Sequence, residues 1–196
     1  MNLIRRAMLQ QIVGRCREAR RFLLVLSGPR QAGKTTLARQ ALAELGGPSL
    51  YVSADEPTLR DRQWLEAQWQ EGRRLAAPGP AVLVLDEVQK IQGWSEVVKR
   101  LWDEDTAAGR DLRVLLLGSA PLLVQRGLTE SLAGRFEQLR VSHWSLAEMR
   151  AAFGWDVDTF ILHGGYPGAA PLASDTERWA AYVRDALIET TVARTC

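Results

Sequence analysis

The sequence has few cysteines, no long apolar run and little net charge. Its two cysteines, Cys16 and Cys196, form neither a CxxC pair nor a metal-binding spacing, which favours a reducing, cytoplasmic setting. No apolar run approaches the roughly 18 residues needed to cross a bilayer, so no membrane partner is expected. The net charge of +2 is too small to indicate a nucleic-acid partner by itself.

Segments with strand character alternate with segments with helix character, a pattern typical of a parallel sheet with helices on both faces. The predicted strands cover residues 22–27, 50–53, 81–85, 114–117 and 136–141, and the last is expected nearest an edge because it is the least apolar. We therefore predict an α/β fold over residues 1–145, a three-layer αβα sandwich with a five-stranded parallel sheet. Residues 146–196 are predicted to form a small helical segment, the start of a truncated C-terminal region.

Several local signals predict where helices begin. Asp55, Glu56 and Pro57 are expected to open a helix that contains Trp64 and Trp69. Ser95 is expected to cap the next helix, and Ser174 with Glu177 matches a capping box ahead of the last one. Most tryptophans fall at helical core spacing, but Trp94 follows Gly93 and is expected on the surface.

Residues 28–35 read GPRQAGKT and fit the phosphate-loop pattern G-x-x-x-x-G-K-[ST]. Glycines let backbone N–H groups wrap the phosphates, and the following helix N-terminus favours anions. Lys34 can reach the β- and γ-phosphates, and the Thr35 hydroxyl can ligate Mg²⁺. ATP is favoured over GTP because no N-K-x-D guanine signature appears. The residues predicted to bind the nucleotide are Gly28, Pro29, Arg30, Gln31, Ala32, Gly33, Lys34, Thr35 and Thr36.

Asp86 and Glu87 end the third predicted strand, at the sheet edge where parallel α/β folds bind ligands. Asp86 is predicted to hold Mg²⁺ as a Walker B aspartate does, and Glu87 to orient and deprotonate the attacking water. Solvated acids at a strand end are the alternative. They are disfavoured because the pair follows AVLVL downstream of a phosphate loop.

Two further residues are candidate catalytic groups. Ser119 ends the fourth predicted strand, where a polar side chain would lie near the γ-phosphate, or it is a small residue that starts a turn. Arg135 precedes the fifth strand and is either an arginine finger or a surface arginine paired with Glu130 or Glu137. His143 and His163 have no metal partner at useful spacing, and both are interpreted as structural.

Six stretches between Ser27 and Pro167 together resemble bacterial and archaeal ATPases of the AAA superfamily: GPRQAGKTTLA, YVSADEP, LDEVQKIQGW, LLLGSAPLL, ESLAGRF and HGGYP. The resemblance implies a RecA-like core with a catalytic glutamate beside the Walker B aspartate. It also implies a further C-terminal domain in full-length relatives. Where relatives commonly show GSSA, this chain has Gly118, Ser119 and Ala120, one serine fewer.

The function predicted from these residues is Mg²⁺-dependent ATP binding and hydrolysis, coupled to a conformational change in a partner or a further domain. A homo-oligomer is possible because an arginine finger can act on a neighbouring subunit. Two alternatives remain open: a small-molecule P-loop kinase, and a switch that binds ATP and barely hydrolyses it. The kinase would need an acceptor pocket and an arginine-rich lid, and neither is obvious in the sequence.

Overall fold

The computed structural model describes residues 6–55, 61–119 and 131–185. Five described strands are β1 (Leu23–Ser27), β2 (Ser49–Ser53), β3 (Ala81–Asp86), β4 (Leu112–Gly118) and β5 (Phe136–Arg140). They run parallel in one sheet in the order β2-β3-β4-β1-β5, which confirms the predicted fold class and places β5 at an edge. β1 and β3 are buried along their whole length, whereas β2 and β5 are largely half-buried. Continuous apolar runs suit the inner strands because helices cover both faces of such a sheet.

The described residues also form seven α-helices of seven to fourteen residues. They are α1 (Met8–Arg17), α2 (Lys34–Leu45), α3 (Arg62–Leu75), α4 (Trp94–Ala107), α5 (Leu146–Phe153), α6 (Val157–His163) and α7 (Thr176–Tyr182). Short 3₁₀ turns occupy Val88–Lys90 and Ala170–Leu172. The core beneath α3 and α4 contains Trp69 and Trp94, both fully buried.

The predicted surface position of Trp94 and the predicted cap at Ser95 are both wrong. Gly93 adopts a left-handed conformation with φ of 69° and directly precedes α4. The helix therefore starts at Trp94, and its indole turns into the core with 0% of the residue exposed. Ser95 lies inside the helix and is buried. A glycine that reverses the chain can begin a helix without a side-chain cap, a possibility that propensity alone does not reveal.

Two other helix starts also differ from the sequence prediction. The side chain of Asp61, not Asp55, caps α3 by accepting a hydrogen bond from the Trp64 amide, and Glu56 and Pro57 lie outside the described residues. Asp175, not Ser174, caps α7 through the amide of Arg178. A capping box does occur, but it joins Ser145 and Glu148 at the start of α5. The cap of α7 differs from the prediction by one residue because neighbouring polar residues can each serve as a cap, whereas Asp61 lies six positions after Asp55.

The described residues group into two compact units. One contains residues 6–28 and 33–141, which form the sheet and its helices. The other contains residues 29–32 and 142–185, so that four residues of the loop after β1 group with the C-terminal helical segment. The division into residues 1–145 and 146–196 stays a prediction.

A buried carboxylate joins α3 to α4 within the larger unit. Asp105 is 0% exposed and accepts hydrogen bonds from Trp69 Nε1 at 2.8 Å and Arg73 Nε at 2.6 Å. Arg110 adds a third contact at 3.2 Å. A charge this deep is tolerated only when its partners satisfy it, so these contacts act as one group.

Replacing Asp105 with alanine is expected to destabilise the protein strongly, by about 3 kcal/mol, because the Arg73 guanidinium and the Trp69 indole N–H would lose a buried acceptor. Urea unfolding followed by tryptophan fluorescence measures the loss. Glu18→Ala is the matched control, since Glu18 pairs with Arg15 at the exposed end of α1 and should shift the midpoint little. Equal shifts for both variants would show that the buried group is not a stabilising element.

Candidate functional site

The register of the central strands brings three predicted site segments together at the carboxyl ends of the strands. Ser27 at the end of β1 pairs with Gly118 at the end of β4, and Leu117 of β4 pairs with Asp86 at the end of β3. The loop after β1, the acids after β3 and Ser119 after β4 therefore leave the sheet side by side. This edge lies at the carboxyl ends of parallel strands, where α/β folds bind ligands.

Two loop glycines are required for different reasons. A Cβ atom at Gly28 would lie 2.1 Å from the carbonyl oxygen of Val141, so no side chain fits there. Gly33 has φ of 89°, a conformation that residues with a Cβ rarely adopt, and it directly precedes α2. The start of the loop, at Gly28, is therefore restricted by lack of space, and its end, at Gly33, is restricted by its backbone conformation.

Lys34 is the first residue of α2 and is 7% exposed. Its Nζ donates a hydrogen bond to the Gly28 carbonyl oxygen at 3.0 Å, which folds the side chain back across the start of the loop. A buried ammonium group held at a helix N-terminus is a positive site for an anion.

Asp86 lies next to the first turn of α2. Thr35 Oγ1 donates to Asp86 Oδ2 at 2.8 Å, and the hydroxyl of Tyr51 on β2 donates to the same oxygen. Burial, together with the bond to Asp86, raises the pKa of Tyr51 to about 12, so its hydroxyl stays a donor at neutral pH. The Arg39 guanidinium lies 4.8 Å from the centre of the Tyr51 ring. Tyr51 was not among the predicted site residues, although it is the first residue of the YVSADEP stretch and lies two residues before the end of β2.

Glu87 has an unusual backbone. Its φ of 54° and that of Gln31, 57°, are the positive values among the described non-glycine residues. Such strain is commonly found at functional sites. The Glu87 carboxylate accepts a hydrogen bond from Gln89 Nε2 at 2.7 Å, and its backbone amide donates to Leu117 O at 2.9 Å. The backbone of Glu87 is therefore held beside β4, and its side chain is held by Gln89 of the following 3₁₀ turn.

Ser119 is 7% exposed, and its Oγ is a buried hydroxyl without a hydrogen-bond partner among the residues that the structure describes. Buried hydroxyls are normally satisfied. Ser119 lies at the carboxyl ends of the strands, beside the loop that follows β1 and the acids at the end of β3. Its unpaired hydroxyl could therefore form a hydrogen bond with a bound polar group.

The four loop residues Pro29–Ala32 group with the C-terminal helical segment. Gln31 lies in this part of the loop, and its side-chain oxygen accepts a hydrogen bond from the Tyr182 hydroxyl at 2.9 Å. The two residues are 151 positions apart, so no sequence pattern predicts the contact.

Arg135 lies at the amino end of β5, where its carbonyl oxygen accepts a hydrogen bond from the Leu23 amide. Its Nε and Nη2 atoms donate to the two carboxylate oxygens of Asp103 at 2.8 and 3.0 Å, and the guanidinium holds the pKa of that carboxyl below its usual range. The predicted pairing with Glu137 is wrong, because Glu137 contacts Arg15 instead. Glu130 lies outside the described residues. Asp103 lies on α4, 32 positions before Arg135, so no local sequence signal indicates this pair.

Neither histidine lies in a cluster that could hold a metal ion. Across residues 6–55, 61–119 and 131–185, no group of three His, Cys, Asp or Glu side chains has a suitable arrangement. His163 is buried, with its ring 4.8 Å from Trp179 and 5.7 Å from Trp155, and His143 packs edge-on against Tyr166 at 4.5 Å. Both rings pack as aromatic groups of the C-terminal segment.

The parallel sheet, the loop that enters α2 at Lys34, and the Thr35–Asp86 contact define a P-loop nucleotide-binding domain of the ATPase type. Residues 20–150 match the family model described as "AAA domain". The chain belongs to this family. The match contains the phosphate loop, the acids after β3 and Arg135.

Two curated relatives are similar to most of the chain. They are Uncharacterized protein Rv2008c of Mycobacterium tuberculosis and Uncharacterized protein Mb2031c of Mycobacterium bovis, each 34% identical over 177 residues. The match covers 88% of this chain but 35% of each relative, so the chain spans about a third of their length.

One solved structure with the same fold is that of the Orc1 protein of Aeropyrum pernix in complex with DNA. Its TM-score is 0.58 at 17% identity, and the match covers 96% of this chain and 60% of that one. At this identity the likeness shows the fold alone.

In the described part of the chain, no helix is long and apolar enough to cross a bilayer.

Proposed function

We propose that this domain binds ATP with Mg²⁺ and hydrolyses it, and that hydrolysis drives a conformational change in a partner or a further domain. The observation that carries the proposal is the 2.8 Å hydrogen bond from Thr35 Oγ1 to Asp86 Oδ2. It joins the end of the phosphate loop to the end of β3, the two places from which a P-loop protein holds the nucleotide's metal ion.

The residues at this contact fit Mg²⁺. The ion takes hard oxygen ligands and is usually held by one or two carboxylates, with waters and substrate phosphates completing its shell. One hydroxyl and one buried carboxylate supply that type of donor set, and Thr35 and Asp86 would hold the ion. When bound, Mg²⁺ neutralises charge on the β- and γ-phosphate oxygens. Tyr51 would keep the Asp86 carboxylate oriented by its own hydrogen bond.

The protein side chains then have separate tasks. Lys34 exchanges its bond to the Gly28 carbonyl for the nucleotide phosphates, and the backbone N–H groups of the loop surround them. Glu87 accepts the proton of the attacking water, which its side-chain and backbone contacts help to orient. The buried hydroxyl of Ser119 donates a hydrogen bond to the γ-phosphate or to that water.

Water is favoured as the phosphoryl acceptor over a small molecule. An acidic pair at the end of β3 supplies both a metal ligand and a base, which a hydrolase needs. Single-turnover assays without and with added small-molecule acceptors separate the three candidate functions. Phosphate release supports the ATPase, bound but uncleaved ATP supports the switch, and cleavage only with an added acceptor supports the kinase.

Lys34→Ala is expected to weaken ATP binding roughly 10- to 150-fold, because a charge-assisted contact contributes about 1.5–3 kcal/mol. Titration with a fluorescent ATP analogue measures the loss. Lys99→Ala removes an exposed lysine of α4 and should bind as the wild type does. Unchanged affinity in a folded Lys34→Ala protein contradicts the proposed phosphate site.

Glu87→Gln is expected to bind ATP normally and to slow hydrolysis about 10²- to 10⁴-fold, since glutamine keeps the shape and loses the base. Pre-steady-state phosphate release measures this change. Glu96→Gln, an exposed acid of α4, serves as the control for the amide substitution. Full turnover by Glu87→Gln would assign the base to another residue.

Arg135 is proposed as a finger for the nucleotide of a neighbouring subunit. It stands at the amino end of β5, and the proposed site lies beyond the carboxyl ends of the strands. An extended arginine reaches about 7 Å, whereas a strand of five or six residues is about 17–20 Å long. A contact with the nucleotide of its own subunit is therefore disfavoured. Fingers supplied in trans contribute about 10³- to 10⁵-fold in rate.

Under this proposal, Arg135→Ala and Lys34→Ala should each be inactive alone and should regain partial activity when mixed, because intact phosphate loops then meet intact fingers. Specific activity should also rise with protein concentration. Asp103→Ala is the matched control, since it breaks the same ion pair and leaves the arginine in place. If Asp103→Ala and Arg135→Ala lose activity equally and mixing restores nothing, Arg135 is only part of a surface ion pair.

A further inference from the structure

The tip of the phosphate loop has a strained backbone at Gln31. Its φ of 57° lies in the left-handed region, which favours glycine, although the loop pattern would accept glycine at this position. A strained residue of this type persists where its surroundings hold it. The side chain of Gln31 must therefore contribute something that glycine would lack.

Two parts of the C-terminal segment meet the Gln31 side-chain oxygen. The Tyr182 hydroxyl, at the last residue of α7, donates a hydrogen bond to Oε1 at 2.9 Å. Gly168, in the turn before the second 3₁₀ helix, approaches so closely that a Cβ atom there would lie 3.0 Å from the same oxygen and 3.5 Å from the Tyr182 hydroxyl. Gln31, Gly168 and Tyr182 thus lie together at the exposed tip of the loop, and we name this group the loop-tip contact.

We propose that Tyr182 is a positioning residue for the phosphate loop, and that the loop-tip contact couples ATP binding to the order of α7. The inference rests on the proposed function. Loop amides bind phosphate only when the backbone holds them in a concave arrangement. Fixing Gln31 before the nucleotide arrives reduces the ordering that binding must accomplish. The C-terminal segment therefore sets the affinity of the loop for ATP.

The coupling has to act in both directions. If the contact between Tyr182 and Gln31 favours the loop conformation that binds ATP, bound ATP must favour the contact by the same factor. The order of α7 then depends on whether ATP is bound, and residues connected to α7 respond to the nucleotide through it.

Tyr182→Phe tests the proposal, because phenylalanine keeps the ring and removes only the donor. The dissociation constant of a fluorescent ATP analogue should rise roughly two- to tenfold, the contribution of one hydrogen bond. Gln31→Ala should weaken binding similarly, and the double variant should lose no more than either single one. The KM for ATP should rise while kcat stays unchanged. Tyr166→Phe, in the same segment but packed against His143, should bind as the wild type does.

Hydrogen exchange supplies the reciprocal test. Saturating ATP should slow amide exchange across residues 176–185 in the wild type and not in Tyr182→Phe. Unchanged affinity of Tyr182→Phe, additive losses in the double variant, or equal protection of α7 in both proteins overturns the inference. The Lys34→Ala variant distinguishes failure of the loop-tip proposal from failure of the proposed function. If Lys34→Ala no longer binds ATP while Tyr182→Phe binds it normally, only the loop-tip proposal is wrong. If Lys34→Ala still binds ATP, the proposed phosphate site is wrong.

Discussion

The parallel register of β3, β4 and β1 is the constraint on which the site depends. Because Ser27 pairs with Gly118 and Leu117 pairs with Asp86, three chain segments far apart in sequence end at the same height. A shift of one residue in any of these strands would turn its side chains to the opposite face. β1 and β3 are buried along their whole length, so the strands that carry the hydrophobic core also carry the residues at this end of the sheet.

The fold was largely predictable because its signals are local and strong. Continuous apolar runs marked β1 and β3 as buried strands. Helix starts were less predictable, since adjacent polar residues compete as caps. Trp94 shows the limit most clearly. Its burial depends on the backbone conformation of Gly93, which the composition of the segment does not specify.

The site was predictable where one short motif specifies it and unpredictable where the fold assembles it. The loop from Gly28 to Thr35 is contiguous, and the pattern names its residues. Tyr51, Asp103 and Tyr182 come from other elements, and each is defined by a partner 32 to 151 positions away. A tyrosine in the middle of an edge strand has many possible neighbours. Only the folded chain selects Asp86 among them.

The two glycines that begin and end the constrained part of the loop obey different rules of substitution. At Gly33 the restriction includes the backbone angle φ of 89°, which asparagine and aspartate tolerate best among the other residues. At Gly28 the restriction is spatial, because the Val141 carbonyl that occupies the place of a side chain belongs to backbone next to β5. No second-site change of side chain can clear a backbone oxygen. In a saturation library with suppressor screening, position 28 should therefore remain glycine.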